Sequence, residues 1–581
     1  MGDIASRSHK LVAEFLAKQA MEDEITDPDP MNVGNAFLEL TTKMMLNPSH
    51  AIGSSLDLWQ DYLELWQNTA NRMLGQETEP VATPSGDDRR FRDAAWSDNA
   101  IFDYIKQSYL LTSGWMQTSV KNVEGLDEES SKKVEFMMRQ FADALSPTNF
   151  IMTNPEVLRE TIDSGGENLI NGLQNLLSDL EAGNGKLKIK MSDQNDFVVG
   201  KDIATSKGKV IFRNELMELI QFAPLTEKVT KTPLLIVPPW INKYYILDLR
   251  EKNSFVKWAS EQGHSVFVIS WVNPDEKLAQ KQFEDYMLEG PLAAIGAALQ
   301  ATGAEKINMI GYCIGGTLLA STLAYMAQTG DDRVNTATYF ASLVDFEKSG
   351  DLKVFIDDKQ VQALEKTMSE RGYLDGGEMA ATFNMMKSND LIWSFVVNNY
   401  LMGKEPFPFD LLYWNADSTR MPAAMHSFYL RNMYMQNKLV KKGGISLAGK
   451  QLDLRKIKQP SYLVATREDH IAPWQATYAG TQLYTGPVKF VLSGSGHIAG
   501  IVNPPAAEKY GYWTNDDTPA SPDDWLGGAT QHKGSWWGDW DKWIKKNSPK
   551  GRVAAHQPGS GELKAICDAP GTYVMMKTDD Q

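Results

Sequence analysis

In the first 200 residues, apolar side chains recur at intervals of three and four residues, the spacing of one face of an α-helix. The clearest run extends from about Asn35 to Leu74, and its apolar positions are Leu56, Trp59, Leu63, Trp66, Ala70 and Met73. The turn-forming stretch PVATPSGDDRR (80–90) interrupts the pattern, which resumes in AIFDYIKQSYLLTSGWM (100–116). We therefore predict a mainly helical N-terminal domain over residues 1–200, whose apolar faces pack in the core or at a subunit interface.

Beyond Gly200 the pattern changes to short β-branched and apolar runs that alternate with helix-like segments. Six runs predict strands: PLLIVPPW (233–240), SVFVISWV (265–272), INMIGYC (307–313), ATYFASLVDF (337–346), SYLVATRED (461–469) and VKFVLSGSGH (488–497). Continuous apolar strands that alternate with helices form parallel sheets covered on both faces. The sequence therefore predicts an α/β catalytic domain over residues 201–547.

Two segments do not follow this alternation. The interval from Glu347 to about Leu452 has helical patterns but no comparable series of strands, so we predict a cap or lid insertion over residues 347–452. Residues 548–581 are rich in Gly, Pro and charge. We predict that they form an extended C-terminal tail.

Composition narrows the classes of protein that fit. The chain has 581 residues, of which 42% are hydrophobic, enough for two domains. Its 58 basic and 74 acidic residues give a formal net charge of −16, so we expect no nucleic-acid partner. Two cysteines make no disulfide framework and MGDIASRSHKLVAEF lacks the features of a secretory signal, so we expect a reducing cytoplasm. No apolar stretch is long enough to predict a transmembrane segment.

One of the two cysteines lies in a frame of glycines, in the stretch INMIGYCIGGTLLA (307–320). The spacing of Gly311, Cys313 and Gly315 is that of a nucleophile elbow with cysteine in place of serine. The glycines allow a tight strand-to-helix turn that exposes the nucleophile, and the dipole of the following helix favours the thiolate. The alternative is a buried structural cysteine, and the motif alone does not decide between the two.

The order of the other candidates fits an α/β-hydrolase fold, in which nucleophile, acid and histidine follow one another along the chain. Asp469 follows the predicted strand SYLVATRE and His497 follows VKFVLSGSG, and such sheets collect catalytic groups at the carboxyl ends of their strands. Asp469 could instead cap a turn. His470 adjoins the acid too closely in sequence to bridge it to the nucleophile, so we assign it a structural role. No compact set of ligands has metal-site spacing, so no metal is expected.

An oxyanion formed at this cysteine needs two hydrogen-bond donors. The N–H of Ile314, directly after the nucleophile, is one by the geometry of the elbow. The second is expected in the loop after PLLIVPPW, where prolines cannot donate, which leaves Trp240 or Ile241. We favour Ile241.

Eight segments in order along the chain resemble polyhydroxyalkanoate synthases, class I in particular. They are PPWINKYYILDLR (238–250), GYCIGG (311–316), LVDF (343–346), NDLIWSFVVNNYL (389–401), PFDLLYWNAD (408–417), REDHIAPW (467–474), SGHIAGIVNPPA (495–506) and APGTYVMMK (569–577). The match extends over nearly the whole chain, with a looser fit in DRRF (88–91) and AWSDNAIFDYIKQSYLL (95–111). Trp240 departs from the family, in which some members have Phe or a smaller residue, and could change the mouth of the acyl pocket.

The resemblance implies that Cys313 is the acyl-accepting nucleophile, His497 its general base and Asp469 the third catalytic residue, with the N–H groups of Ile314 and Ile241 as oxyanion donors. It implies polymerisation of (R)-3-hydroxyacyl-CoA, a short-chain substrate such as 3-hydroxybutyryl-CoA, with release of coenzyme A and no cofactor. It also implies a cytoplasmic homodimer at the surface of polyester granules, in contact with the growing polyester chain and with granule-associated proteins.

Acyl transfer from coenzyme A to Cys313 exchanges one thioester for another and keeps the carbonyl activated for attack by the next hydroxyl. Asp469 either orients His497 or helps to take the proton of the incoming 3-hydroxyl, and the resemblance favours the second role. The 347–452 insertion is expected to keep water from the thioester. Two other functions stay open: a hydrolase or thioesterase with water as acceptor, and an inactive granule-coating protein.

Overall fold

The computed structural model describes Arg7, Lys10 and residues 33–577, apart from residues 47, 87, 122, 124, 186 and 194. The beginning of the predicted N-terminal domain and the end of the predicted tail therefore lie outside the described residues. The chain divides into two compact units. The first unit comprises Met1–Asp193 and Ala381–Pro408, and the second comprises Gln194–Ala380 and Phe409–Gln581. The first unit thus takes 28 residues (381 to 408) from the segment predicted as the insertion.

The first unit is mainly helical in its described residues, as the three- and four-residue spacing predicts. Its main helices are α1 (Val33–Leu46), α2 (Pro48–Met73), α3 (Ala100–Val120), α4 (Glu128–Ala144), α5 (Pro155–Asp163) and α6 (Glu167–Ala182). Side-chain caps define several starts: the side chains of Asn99, Asp127 and Asn154 accept hydrogen bonds from the first-turn N–H groups of α3, α4 and α5. Two short π-helical turns, Asn389–Trp393 and Val396–Leu401, complete the unit.

Helix α2 packs on α3 with one face and leaves its apolar stripe exposed. On the packed face Leu65 is buried and the Tyr62 hydroxyl lies 2.7 Å from Thr112 Oγ1. The stripe predicted from the sequence lies on another face, where Trp59 and Trp66 are 68% and 65% exposed. Burial of this stripe in the core of the chain is therefore wrong, and the alternative of an interface stays a prediction.

The second unit is built on an eleven-stranded sheet. In spatial order its strands are β15 (Thr530–His532), β14 (Tyr512–Thr514), β13 (Val488–Ser493), β12 (Ser461–Thr466), β7 (Val334–Phe340), β6 (Ile307–Tyr312), β4 (Leu234–Val237), β5 (Val266–Trp271), β2 (Met217–Phe222), β1 (Gly208–Arg213) and β17 (Cys567–Asp568). The six strands from β13 to β5 are parallel. Strands at both edges pair antiparallel. The predicted α/β architecture with a parallel centre is confirmed.

The remaining strands are short pairs: β3 (Lys228–Thr230) with β16 (Arg552–Ala554), β8 (Tyr373–Leu374) with β9 (Met421–Pro422), and β10 (Ser446–Leu447) with β11 (Lys450–Gln451). Residues predicted to form an extended tail thus contribute β16 and β17. Glu218 on β2 is fully buried and accepts hydrogen bonds from the N–H groups of Thr572 and Tyr573, which fixes the end of the described chain against the sheet.

Helices cover the sheet, which explains why its central strands are continuously apolar. The main helices after α6 are α7 (Phe255–Glu261), α8 (Phe283–Met287), α9 (Ala293–Thr302), α10 (Ile314–Thr329), α11 (Asp358–Arg371), α12 (Gly376–Met386), α13 (Asp410–Ala416), α14 (Ala423–Tyr429), α15 (Trp474–Tyr478), α16 (Pro522–Gly527) and α17 (Trp537–Lys546). Residues of α7 and α17 share one apolar core with β4, β5 and β6. Helix α10 packs on β4, β6 and β7. Within the described residues, no helix combines the length and apolar composition that crossing a bilayer requires.

Candidate active site

Cys313 lies at the sharp turn between β6 and α10. Its backbone has φ 51° and ψ −123°, a conformation that costs free energy for a residue with a side chain, and α10 begins at the next residue, Ile314. A Cβ on Gly315 would lie 2.2 Å from the carbonyl oxygen of Val237, and one on Gly311 would lie 2.5 Å from the Cα of Gly316. The flanking glycines are therefore required by close backbone contact, and the strained turn expected for a nucleophile elbow is present.

Asp469 and His497 lie beyond the carboxyl ends of β12 and β13, at the same edge of the sheet as Cys313. His497 Nδ1 is 2.7 Å from Asp469 Oδ2, and both residues are buried. The sequence order Cys, Asp, His thus brings these side chains to one edge because β6, β7, β12 and β13 are parallel neighbours.

The Asp469 carboxylate accepts four hydrogen bonds. Oδ2 accepts from Thr466 Oγ1 (3.0 Å) as well as from His497, and Oδ1 accepts from the N–H groups of Ile471 (2.9 Å) and Ala472 (2.8 Å). Burial alone would raise the pKa of Asp469, but the interaction with His497 and the two backbone donors hold that pKa below its ordinary value. The sequence does not single out Thr466, because it is an ordinary strand residue within SYLVATRED.

The His497 ring stacks on Tyr312, with ring centroids 5.8 Å apart and planes inclined by 26°. The Tyr312 hydroxyl donates to the carbonyl oxygen of His497 (3.3 Å), which fixes the loop that carries the ring. Burial alone would lower the pKa of His497, but Asp469, and after it the neighbouring Cys313 side chain, raise that pKa well above its ordinary value. A histidine in this setting can hold a proton beside a sulfur anion.

The loop after β4, which carries Trp240 and Ile241, lies against the first turn of α10. A Cβ on Gly315 would lie 2.8 Å from the Pro238 carbonyl oxygen, so only glycine allows this approach. The Trp271 indole N–H donates to that same carbonyl (2.9 Å). The N–H of Ile314 is at the start of a helix and has no acceptor within it. The two N–H groups predicted as oxyanion donors are thus on adjacent backbone segments.

The Trp240 side chain is buried among aromatic rings. Its ring centroid lies 5.3 Å from that of Tyr286, 5.8 Å from Tyr429, 6.1 Å from Phe283 and 6.3 Å from Trp271. The ring therefore anchors the loop in a packed cluster, and an effect on the mouth of an acyl pocket stays a prediction.

The insertion contributes two tyrosines to the surroundings of Cys313, Tyr429 and Tyr434, whose rings are 6.0 Å apart. Burial, and further the nearby Cys313 side chain, raise the pKa of both hydroxyls, so both are neutral phenols. Neither tyrosine was predicted as a site residue, because nothing in SFYLRNMYM distinguishes them from ordinary core aromatics.

Histidines outside this site have other surroundings. His264 Nε2 is 2.9 Å from Asp541 and His532 Nε2 is 2.8 Å from Thr514 Oγ1, both away from Cys313. In the part of the chain that the structure describes, no group of three or more His, Cys, Asp or Glu residues could hold a metal ion.

Comparisons with known proteins add to this geometry. Residues 87–259 match the model of the Poly-beta-hydroxybutyrate polymerase (PhaC) N-terminus, and residues 233–504 match the alpha/beta hydrolase fold. The chain is 53% identical to the Poly(3-hydroxyalkanoate) polymerase of Methylorubrum extorquens, over 91% of this chain and 88% of that protein. It is 49% identical to the Poly(3-hydroxyalkanoate) polymerase subunit PhaC of Rhizobium meliloti, over 99% of this chain and 94% of that protein. The protein of the same name from Cupriavidus necator is 42% identical, over 89% of this chain and 87% of that protein.

Proposed function

Because the chain belongs to the poly(3-hydroxyalkanoate) polymerase family, we propose that it synthesises polyester from (R)-3-hydroxyacyl-CoA and releases coenzyme A. The enzyme is an acyltransferase. We propose that its substrate has a short acyl chain, as in (R)-3-hydroxybutyryl-CoA. The observation that carries the proposal is a cysteine in a strained strand-to-helix turn, beside a histidine that is bonded to a buried carboxylate. Coenzyme A leaves as a product, so the reaction needs no resident cofactor or metal.

In the first half-reaction, His497 takes the thiol proton and the Cys313 sulfur attacks the thioester carbonyl carbon. The tetrahedral intermediate places its negative charge on the former carbonyl oxygen, where the N–H groups of Ile314 and Ile241 donate hydrogen bonds. Collapse of this intermediate breaks the bond to the coenzyme A sulfur, which leaves with the proton from His497. The product is an acyl-cysteine thioester, nearly equal in energy to the thioester that it replaces.

In the second half-reaction, the 3-hydroxyl of the next unit loses its proton to His497 and attacks the acyl-cysteine carbonyl. The new ester bond lengthens the chain by one unit, and the Cys313 sulfur leaves and regains the proton. The four hydrogen bonds on Asp469 support a role in orienting His497, because each carboxylate oxygen already accepts two donors and the pKa of the group is low. His497 is therefore the base for both half-reactions.

The surroundings of the site suit a reaction that must exclude water. The insertion lays Tyr429 and Tyr434 near Cys313, and a largely aromatic cover keeps the thioester from hydrolysis. The exposed stripe of α2, which includes Trp59 and Trp66, is apolar enough to serve in a homodimer or on the surface of a polyester granule. We place the enzyme at that surface in the cytoplasm, together with other granule-associated proteins.

A product assay with purified protein and (R)-3-hydroxybutyryl-CoA tests this function. We expect coenzyme A release together with chloroform-soluble polyester. Free 3-hydroxybutyrate without polymer would reject the synthase and leave a thioesterase with the same residues and water as acceptor. Absence of coenzyme A release from folded protein would leave an inactive granule-coating protein.

A further inference from the structure

The loop after β4 is held by a residue of the insertion that no motif singles out. We propose that Thr419 is a positioning residue, which fixes the direction of the Ile241 N–H toward the oxyanion formed at Cys313. This inference rests on the proposed function, because it concerns one donor of that reaction. Thr419 itself touches no reacting atom and acts through the Trp240–Ile241 peptide.

Thr419 makes two hydrogen bonds to this loop. Its Oγ1 donates to the Trp240 carbonyl oxygen (2.6 Å) and its N–H donates to the Ile241 carbonyl oxygen (3.3 Å). The residue is only 1% exposed, so water does not compete for these bonds. The adjacent residues Asn242 and Ser418 form an antiparallel bridge, which extends the attachment by one residue.

The geometry of a peptide unit turns this contact into a constraint on the donor. A trans peptide is planar, and its C=O and N–H point in opposite directions. The Trp240 carbonyl and the Ile241 N–H belong to the same peptide unit. Because Thr419 Oγ1 holds the carbonyl, it also sets the direction of the N–H, away from Thr419.

The same loop also lies against the nucleophile turn. Residue Val237 at the end of β4 pairs in register with Gly311 of β6, and the loop that follows is in backbone contact with Gly315. The Pro238 carbonyl is fixed separately by Trp271. The insertion therefore constrains the one peptide of the loop that has to present its N–H.

Thr419 is itself held firmly on both sides. The next residue, Arg420, donates its N–H to Asn273 Oδ1 (2.9 Å) and its guanidinium lies 4.6 Å from the Tyr373 ring centroid. Before it, Asp417 accepts from the Tyr245 hydroxyl (2.7 Å). A residue tied down in this way can impose a peptide orientation rather than follow it.

The decisive experiment compares two reactions of the Cys313 sulfur, one of which needs an oxyanion donor and one of which does not. Acylation by (R)-3-hydroxybutyryl-CoA forms a tetrahedral oxyanion, whereas alkylation by iodoacetamide displaces iodide and forms none. Rapid-quench acylation and mass spectrometry of the alkylated Cys313 peptide give the two rate constants. Thr419→Val keeps the shape of the side chain and removes the donor, and Thr419→Ser restores the donor.

We expect Thr419→Val to slow acylation about 10- to 100-fold, less than complete removal of an oxyanion donor. Alkylation should stay within about twofold, because it needs the thiolate but no oxyanion donor, and Thr419→Ser should recover most of the lost acylation rate. The matched control is Thr336→Val, another fully buried threonine, whose hydroxyl donates to Asn308 at the opposite end of the sheet. It should leave both rates unchanged.

Three results would overturn the assignment: wild-type acylation in Thr419→Val, an equal loss of acylation and alkylation, or failure of Thr419→Ser to restore acylation. If Thr419→Val does not fold, Thr419→Ala removes the same donor and carries the same comparison. Wild-type protein that is alkylated but never acylated would instead reject the proposed function, so the two failures are distinguishable.

Discussion

Each unit of the molecule contains a buried carboxylate that joins distant parts of the chain. Asp143 of the first unit and Asp469 of the second are both 8% exposed. Asp143 accepts from Ser388 Oγ (3.0 Å) and Asn389 Nδ2 (2.7 Å), and lies 3.5 Å from the guanidinium of Arg90. Asp469 accepts from a histidine and three other donors.

Both residues are buried, but Asp469 accepts four hydrogen bonds, whereas Asp143 accepts two and lies beside one arginine. They also differ in where their hydrogen bonds lead. The two hydrogen-bond donors to Asp143, Ser388 and Asn389, belong to the 381–408 segment and hold it in the first unit. The histidine bonded to Asp469 instead adjoins a cysteine in a strained turn. A buried, hydrogen-bonded carboxylate therefore indicates chemistry when its partner can take a proton from a nucleophile.

The largest effect is expected for Cys313→Ala. The variant has no sulfur to accept the acyl group, so acylation and polymer formation should fall by about ten-thousand-fold or more. The fold should persist, because a small thiol at a turn leaves little cavity. Rapid-quench release of coenzyme A and a thermal melt measure the two quantities, and a burst of coenzyme A from the folded variant would contradict the assignment.

Asp469→Asn should slow acylation about a thousand- to ten-thousand-fold, because an amide favours the wrong tautomer of His497. The resemblance to synthases favours a different result, a burst of about one coenzyme A per site followed by stalled elongation. The four hydrogen bonds on the carboxylate lead us to expect no such burst. A rapid-quench trace decides: a full burst before the stall would make Asp469 the activator of the incoming hydroxyl.

Asp143→Asn is the matched change in the first unit. It should leave the rate of acylation per folded molecule within about twofold and lower the free energy of unfolding by roughly 1–3 kcal/mol, because the amide cannot accept from all of its present donors. Denaturant unfolding followed by tryptophan fluorescence measures the stability. A loss of acylation as large as that of Asp469→Asn would show that the comparison between the two carboxylates is mistaken.

The ease of prediction from sequence separates the central strands of the sheet from its edges. The strands β4 to β7, β12 and β13 were predictable because strands buried on both faces are continuously apolar, and Cys313, Asp469 and His497 because they end or follow those strands. Edge strands such as β14 and β15 are only three residues long, too short to show a continuous apolar run or an alternation.

Contacts between residues far apart in sequence were not predictable at all. Asn168 donates to the Leu401 carbonyl (2.8 Å), and a Cβ on Gly172 would lie 1.8 Å from the Tyr400 carbonyl, yet more than 220 residues separate these groups. Thr419 is a similar case, since its importance depends on the loop that it meets. Periodicity reports burial of a face and says nothing about which distant segment buries it.

The exposed stripe on α2 is predicted to act in self-association and not in catalysis. Replacing Trp59 and Trp66 together with Gln should weaken self-association by roughly tenfold or more, because exposed tryptophans are strong interface anchors. Acylation should be unchanged. Sedimentation over a range of concentrations measures the association, with Met152→Gln as control, since Met152 is 75% exposed on another part of the first unit. Equal effects of both variants, or none, would remove α2 from the interface.

The smallest effect is expected for Cys567→Ser, which compares the two cysteines directly. Cys567 lies on β17 at the edge of the sheet, and its sulfur accepts from Arg213 Nη2 (3.6 Å) rather than lying beside a histidine. Burial, and further the charge of Glu218, raise the pKa of the Cys567 thiol, which therefore stays protonated at neutral pH and is a poor nucleophile. A serine hydroxyl can accept the same hydrogen bond, so coenzyme A release and polymer yield should stay within about twofold of wild type. Loss of activity in a folded Cys567→Ser protein would mean that the sheet edge takes part in the reaction. Iodoacetamide labelling of the wild-type protein compares the two thiols directly. Slow labelling of Cys567 beside fast labelling of Cys313 is expected, because only Cys313 combines a strained turn with a histidine partner.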